Sequence, residues 1–402
     1  MSGNVQIMTG NSAAAQAVKL CRVQVISAYP ITPQSSVTET IANWVEQGEF
    51  KTEYVRVESE HSVMTVCVAA STVGARTFTS TSSHGLLYMH EQIHWAAGAR
   101  LPIVICCVNR GVGAPWSIFN DQQDSIAQRD TGWIQIYCRD NQEILDTVIQ
   151  AYRIAEEVYC PVMVCYDGFI LSHTTMPVEI PEVKEVDAFL PPYQPHTILS
   201  PENPHNINPV IFPWRRRDSE GVLRDGYMDV RWKLQHALEL SHDVIVRTSH
   251  EYGSRFGRDH GGMLWSYRSE DAEVLLVGMG SIATEATTAA DLLRDQGVRA
   301  GAIGIRVYRP FPKAEVRAAF RNCSAIVVFE KNISYGYEGA LAADIKAALY
   351  GTEISAPIHN VVAGLGGRDV KAHELAETVR DSLTAIAAGT RECQIWLNCV
   401  SE

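Results

Sequence analysis

The chain has 402 residues, 46% hydrophobic and 20% charged, with a formal net charge of −12. That is ordinary globular composition, too long for one typical core, so two domains or three are expected. The acidic balance excludes a general nucleic-acid binder, which needs clustered Lys and Arg, and no apolar run reaches the length of a membrane span.

The opening Met-Ser-Gly-Asn-Val-Gln has neither the charged nor the apolar region of a secretory leader. A cytoplasmic protein is the expectation. Up to residue 170, strand and helix signals alternate. Strands are predicted near 22–27, 53–57, 75–79, 102–108, 133–137 and 161–166, with helices near 36–46, 60–73, 86–97 and 141–157. Gly48, Gly74 and Gly98 each follow a helical stretch, as C′ glycines do. Short apolar strands separated by helices imply a doubly wound, mostly parallel α/β sheet covered on both faces. Ligands gather at the carboxyl ends of such strands. Thr32, the Ser80–His84 loop and Arg110 all follow predicted strands and should converge on that edge.

The first corner is Tyr29-Pro-Ile-Thr-Pro33. Two prolines fix φ and remove two backbone donors, so neither strand nor helix runs through it. Ser36-Val-Thr-Glu39 has the form of a capping box and should start the next helix. A stiff corner with a free hydroxyl at Thr32 suits presentation of a polar group to a ligand; it also suits an ordinary strand-to-helix loop.

Residues 173–213 hold nine of the seventeen prolines and read as an extended linker or wrapping arm. Within them and just beyond, Arg215-Arg-Arg217 is the one basic run and reads as a solvated or salt-bridged turn. Residues 228–268 are mixed, with helical spacing over Arg231–Leu240. A second α/β unit opens at Glu273-Val-Leu-Leu-Val-Gly-Met279. It has strands near 299–305, 325–330 and 358–363 and helices near 282–296, 313–321, 338–349 and 371–387. The expected division is 1–172, a connecting segment 173–270, and 271–402. The ten cysteines include no Cys-x-x-Cys, so no zinc-ribbon or ferredoxin spacing is present, and reduced, buried thiols are expected.

Tyr29-Pro-Ile-Thr-Pro33, Ser59-Glu-His61, Thr77–Leu87, Asn109-Arg110, Ser117–Asp124, Arg309-Pro-Phe-Pro312 and Gly364–Asp369 stand in an order that resembles the 2-oxoacid:ferredoxin oxidoreductase family. The resemblance is to its alpha chain, which carries the pyrimidine half of a thiamine diphosphate site. It spans nearly the whole sequence. It implies a thiamine diphosphate pyrimidine-binding domain followed by a domain like the transketolase C-terminal one. It implies one subunit of a complex that oxidatively decarboxylates a 2-oxoacid to acyl-CoA and CO2. Electrons would pass through iron–sulfur clusters, held by other chains, to ferredoxin or another acceptor. This chain has no Gly-Asp-Gly with a following pair of asparagines, so the diphosphate and Mg2+ ligands are expected from a beta subunit. Gamma and ferredoxin-like delta subunits complete the implied complex, and coenzyme A is its second substrate.

Carried onto this sequence, the family pattern makes Glu60 the carboxylate that bonds N1′ of the pyrimidine ring, with Glu58 as the fallback. The alternative for Glu60 is a first-turn glutamate complementing a helix dipole. Thr32 and Arg110 match the substrate-binding threonine and the arginine that holds the substrate carboxylate, for which a bidentate guanidinium is suited. A corner-stabilising bond and a strand-end salt bridge are their plainer readings. Pro30, Ile31, Ser83 and His84 complete the expected cofactor contacts. His84 departs from the family's usual Gln. Gly111-Val-Gly-Ala-Pro-Trp116 lacks the bulk that pyruvate-selective relatives carry after the arginine. This favours a larger 2-oxoacid, such as phenylglyoxylate, unless the glycines serve a turn that needs positive φ.

Two competing readings remain. Gly278-Met-Gly-Ser-Ile-Ala283 follows a strand and fits a loose dinucleotide pattern, which would make the chain an NAD-binding dehydrogenase. The acid expected at the end of the next strand is absent from Ala302-Ile-Gly-Ile-Arg306. The other reading is a non-catalytic assembly subunit, against which the joint presence of Thr32, Glu60 and Arg110 argues.

Overall fold

The computed structural model describes residues 4–195, 198–200 and 211–399. The prolines at 201, 204 and 209 therefore lie outside the described residues, as do the first three residues of the leader reading. Strands β1 (Asn4–Thr9), β2 (Val25–Ala28), β3 (Glu53–Arg56), β4 (Thr77–Thr81), β5 (Val104–Asn109), β6 (Ile134–Tyr137), β7 (Val162–Asp167) and β8 (Thr175–Ile180) come first. A two-residue hairpin, β9 (Arg216–Arg217) and β10 (Leu223–Arg224), follows. The later strands are β11 (Leu264–Tyr267), β12 (Val274–Gly278), β13 (Ala300–Ile305), β14 (Val307–Arg309), β15 (Ala325–Glu330), β16 (Ile358–Val362) and β17 (Glu392–Trp396).

The first large sheet has the order β14-β6-β7-β5-β4-β2-β3. Its strands are parallel except for β14, which pairs antiparallel with β6. Its centre is continuous apolar sequence, as a sheet covered on both faces requires; Ile103 to Val108 are wholly buried. The second sheet has the order β11-β13-β12-β15-β16-β17 and is parallel apart from β11. One face of it, with Leu275, Val277 and Ile303, belongs to the same apolar cluster as the first sheet. The other face closes a smaller cluster under the helices Ser281–Asp295 and Ala372–Ala387.

Several local expectations change. The segment after residue 173 is partly regular: β8 pairs with β1, and Val183–Phe189 is helical. Asn4–Leu20, which carried no predicted element, supplies β1 and an alanine-rich helix, Gly10–Leu20. Tyr227–Phe256 is one helix of 30 residues, laid across the helix Asn141–Val158, where Tyr252 donates to Asp146 at 2.6 Å. The predicted helix 86–97 is two, Ser83–Tyr88 and His90–Gly98, and the left-handed residue after the second is Arg100, φ 58°, rather than Gly98. Gly48 and Gly74 do take positive φ.

The helix after the corner starts at Ser35, with Gln34 at the N-cap and no capping side-chain bond. The predicted box is not formed; side-chain amides hold the acceptors of the corner instead. Asn11 Nδ2 donates to Pro33 O and to Ser36 Oγ, each at 2.8 Å, and Gln34 Nε2 donates to Tyr29 O at 2.9 Å. The basic run is a surface turn: Arg215 pairs with Asp229 at 2.8 Å and Arg216 lies over the Phe212 ring. All cysteines are free, and the seven up to Cys165 are buried. No described helix is long and apolar enough to cross a membrane.

Candidate active site

The parallel order brings the ends of β2, β3, β4, β5 and β7 to one edge of the first sheet. The corner at Thr32 follows β2. Glu60 follows β3, Ser83 and His84 follow β4, and Arg110 follows β5.

Glu60 is the first residue of the helix Glu60–Thr72, whose N-cap is Ser59, with its hydroxyl accepting from Ser62 N–H at 3.3 Å. The residue is only 7% exposed, unlike a surface first-turn glutamate, and burial raises the pKa of its carboxyl. Among the described residues no other side chain pairs with that carboxylate. A Cβ on Gly85 would lie 2.5 Å from Glu60 Oε1, so the missing side chain at 85 makes the space the carboxylate uses. A buried acid without a protein partner fits a heterocyclic ring nitrogen, which is the donor or acceptor a thiamine pyrimidine would offer. Glu58 is exposed and bonded to Ser62, so it does not share this position.

Arg110 is 5% exposed. Its Nη1 donates to Thr32 O at 2.9 Å and its Nε to Ser117 O at 3.3 Å, and burial lowers its pKa. It has no carboxylate ion pair among the described residues, which sets aside the strand-end salt bridge. The Thr32–Arg110 bond ties the first corner to the end of β5. Thr32 itself is exposed, as is Pro30, with Ile31 half-buried. Ser83 is buried with φ 46°, its Oγ donating to Gly111 O at 2.5 Å. His84 Nε2 accepts from Gly113 N–H at 3.0 Å, and its ring lies 5.6 Å from that of Trp116, which is 76% exposed. The structure thus gathers Thr32, Ser83, His84 and Arg110 into one bonded group, with Glu60 reached through Gly85.

The glycines after Arg110 have local reasons. Gly113 has φ +90°, a conformation side chains rarely adopt. A Cβ on Gly111 would stand 3.2 Å from Asp121 Oδ2. They serve the turn and do not by themselves indicate a large substrate.

Two functional features went unassigned in the sequence. Asp124 is fully buried, its pKa pushed up to about 6 by that burial, and it accepts from Ser83, Arg110, Ser125 and Asn109. Its motif was visible; its partners, scattered over three elements, were not. The second is a join between the sheets. Asp167, at the end of β7, bonds Lys331 Nζ at 2.9 Å and Ser281 N–H at 3.1 Å. Burial opposes its charge, but Lys331 and Ser281 outweigh this and hold the pKa below the usual range. Ser281 opens the helix after the Gly278–Ala283 loop, so the place a dinucleotide phosphate would take is filled by a carboxylate of the other sheet.

In overall fold the chain resembles a 2-oxoglutarate:ferredoxin oxidoreductase from Magnetococcus marinus, solved with 2-oxoglutarate, coenzyme A and succinyl-CoA. The TM-score is 0.68 at 19% identity over 95% of this chain, which spans 66% of that one. It also resembles a split-gene transketolase, solved as an inactive beta4 tetramer, with TM-score 0.55 and 15% identity over 94% of this chain and 98% of that one. The chain therefore has the α/β architecture of 2-oxoacid oxidoreductases and transketolases. Its family follows from sequence. The profile described as "Pyruvate flavodoxin/ferredoxin oxidoreductase, thiamine diP-bdg" matches residues 16–219. That described as "Pyruvate:ferredoxin oxidoreductase core domain II" matches residues 272–375. Pyruvate synthase subunit PorA of Methanothermobacter thermautotrophicus is 46% identical over 94% of this chain and 94% of its own length. Ketoisovalerate oxidoreductase subunit VorA of Pyrococcus horikoshii is 42% identical over 97% of this chain and 96% of its own. The protein belongs to the pyruvate flavodoxin/ferredoxin oxidoreductase family, as a subunit of a thiamine diphosphate-dependent 2-oxoacid oxidoreductase.

Proposed function

We propose that this chain supplies the pyrimidine side of the thiamine diphosphate site and the substrate-carboxylate clamp of a CoA-acylating 2-oxoacid oxidoreductase. The observation that carries the reading is the buried, unpaired Glu60 carboxylate on the edge that also bears Arg110. Thiamine diphosphate, when bound, supplies the electron sink for decarboxylation. Glu60 holds a proton at the ring nitrogen; burial favours the shared-proton bond because water does not compete for it. Pro30, Ile31, Ser83 and His84 would border the ring. Arg110 is desolvated and fixed by two carbonyls, leaving its remaining N–H groups to take the substrate carboxylate. Thr32 stands exposed beside it, its hydroxyl free to donate to the ketone or carboxylate.

The diphosphate and Mg2+ come from a beta subunit. Clusters and the ferredoxin-like delta chain lie elsewhere in the complex, with a gamma subunit, and ferredoxin or another carrier takes the electrons. The chain divides into a pyrimidine-binding domain, 1–172, a connecting segment, 173–270, and a transketolase C-terminal-like domain, 271–402, which lends β14 to the first sheet. The substrate is a 2-oxoacid of the pyruvate or branched-chain class. With the glycines assigned to a turn, only Trp116 still favours an aromatic one. The test is substrate-dependent dye reduction by the reconstituted complex, with pyruvate, ketoisovalerate and phenylglyoxylate, for wild type and Glu60→Gln. Loss of about 10²–10⁴-fold in the variant with every substrate is expected. A loss below about fivefold would remove Glu60 from the chemistry, and a preference for phenylglyoxylate would restore the larger pocket.

A further inference from the structure

We propose that Asp124 is the positioning residue of this site, one carboxylate that sets Arg110 and the Ser83–His84 loop in register with each other. The inference rests on Arg110 being the substrate clamp. Asp124 Oδ2 accepts the backbone N–H of Ser83 at 2.9 Å and that of Arg110 at 3.0 Å. Those donors follow two different strands, β4 and β5, so a single oxygen joins the two binding loops. Oδ1 accepts Asn109 Nδ2 at 2.7 Å and Ser125 N–H at 2.8 Å, which fastens the carboxylate to the end of β5 and to its own short helix.

Four N–H donors on two oxygens, with the Cys107 thiol 3.7 Å from Oδ2, require a carboxylate. An amide has one oxygen, so an asparagine here must turn its NH2 toward two donors whichever way it lies. The strain on the Ser83 side points the same way. Ser83 has φ 46°, a conformation that a residue with a side chain holds only when its surroundings fix it. Two bonds do so: its N–H to Asp124, and its Oγ to Gly111 O, in the loop that follows Arg110. Both of these bonds lead out of the Ser83–His84 loop, one to Asp124 and one to the Arg110 loop. Asn109 and Arg110 are consecutive, so Asp124 grips both sides of the peptide that aims the guanidinium.

The test is a double-variant cycle in the reconstituted complex. Asp124→Asn should lower kcat/KM for pyruvate by about 10–100-fold, mostly through KM, because a clamp misplaced by about 1 Å loses that much. Thiamine diphosphate affinity should fall by less than kcat/KM does, since the Ser83–His84 loop is only one part of the cofactor's contacts and its diphosphate is held by another chain. Adding Asp124→Asn to Arg110→Ala should cost less than about threefold more, because the first acts through the second. Additive losses would overturn the proposal and leave Asp124 a general support of the fold. An Arg110→Ala complex with unchanged KM would instead overturn the clamp reading, and this proposal with it. If Asp124→Asn does not assemble, Asn109→Ala loosens the Oδ1 side without adding a donor. The same non-additivity with Arg110→Ala is expected there, and additivity is again the refuting result.

Discussion

Gly85→Ala isolates the geometry of Glu60. Gly85 lies inside the helix Ser83–Tyr88 and does not take positive φ, so alanine suits the backbone and adds up to about 1 kcal/mol of helix preference. The added methyl would stand 2.5 Å from Glu60 Oε1 and from Thr81 Oγ1. Ordinary contact begins at 3.4 Å, so relief requires a shift of about 0.9 Å, the difference of those two distances. Both contacts must open: Thr81 is buried in a strand of the sheet, so its hydroxyl can only turn about χ1, and the end of the Glu60 side chain, which no described side chain holds, swings away with it. A misplacement of about 1 Å in a catalytic contact costs about 10²-fold, or about 2.7 kcal/mol of transition-state stabilisation. The assay is dye reduction by the reconstituted complex, beside its thermal midpoint. We expect a loss of about 100-fold in kcat with the midpoint shifted by less than about 3 °C. Activity within about threefold of wild type would refute the reasoning, because the carboxylate could then move without consequence. A loss accompanied by a collapse in midpoint would show that Gly85 matters to packing alone.

Lys331→Met should destabilise the protein by about 3–5 kcal/mol in urea unfolding, because it leaves the buried Asp167 charge without its ion partner; a cost below about 1 kcal/mol would mean that Ser281 suffices. Asp121 gives a pH signature. Burial first, and then Asp124, raise its pKa from 3.8 to about 7. Its folded form holds the proton more tightly than the unfolded chain, so its contribution to stability is full below the unfolded value and declines as pH rises toward 7. Asp121→Asn should reduce the fall in thermal midpoint between pH 5 and pH 8; an unchanged slope would place the titration elsewhere.

Much of this was readable in order and period. Each strand predicted in the first 170 residues appears within a few positions of its place, because buried parallel strands are continuous apolar runs closed by glycine and proline. The carboxyl-edge rule places Thr32, Ser83, His84 and Arg110 on one edge from strand order alone, and each does follow a strand of the first sheet. Side-chain partners distant in sequence escaped. The capping box does not form because the helix begins at Ser35, which puts Ser36 inside it, where its hydroxyl accepts from Asn11 in a helix without a signal. Asp124 stands in the Ser117–Asp124 motif, but its role is not legible there, because its N–H donors come from residues 83, 109, 110 and 125, and only the fold juxtaposes them. Gly113 was read for the room it leaves, whereas its φ shows it is needed for the turn. Residues 228–268 are mixed in composition because one long helix, Tyr227–Phe256, takes up most of them, burying a narrow stripe and leaving the rest wet.

Strand β14 has a consequence for anyone who would divide the molecule. It lies beyond residue 270 in the sequence, yet Val307 and Arg309 close the edge of the first sheet by pairing with β6. A gene fragment ended at the apparent seam would leave Ile134–Tyr137 as a raw edge, and unpaired edges of that kind recruit strands from other chains. The later half of the polypeptide thus acts as a stopper for the earlier one. The two must travel together through any fusion, permutation or split that evolution or an engineer attempts.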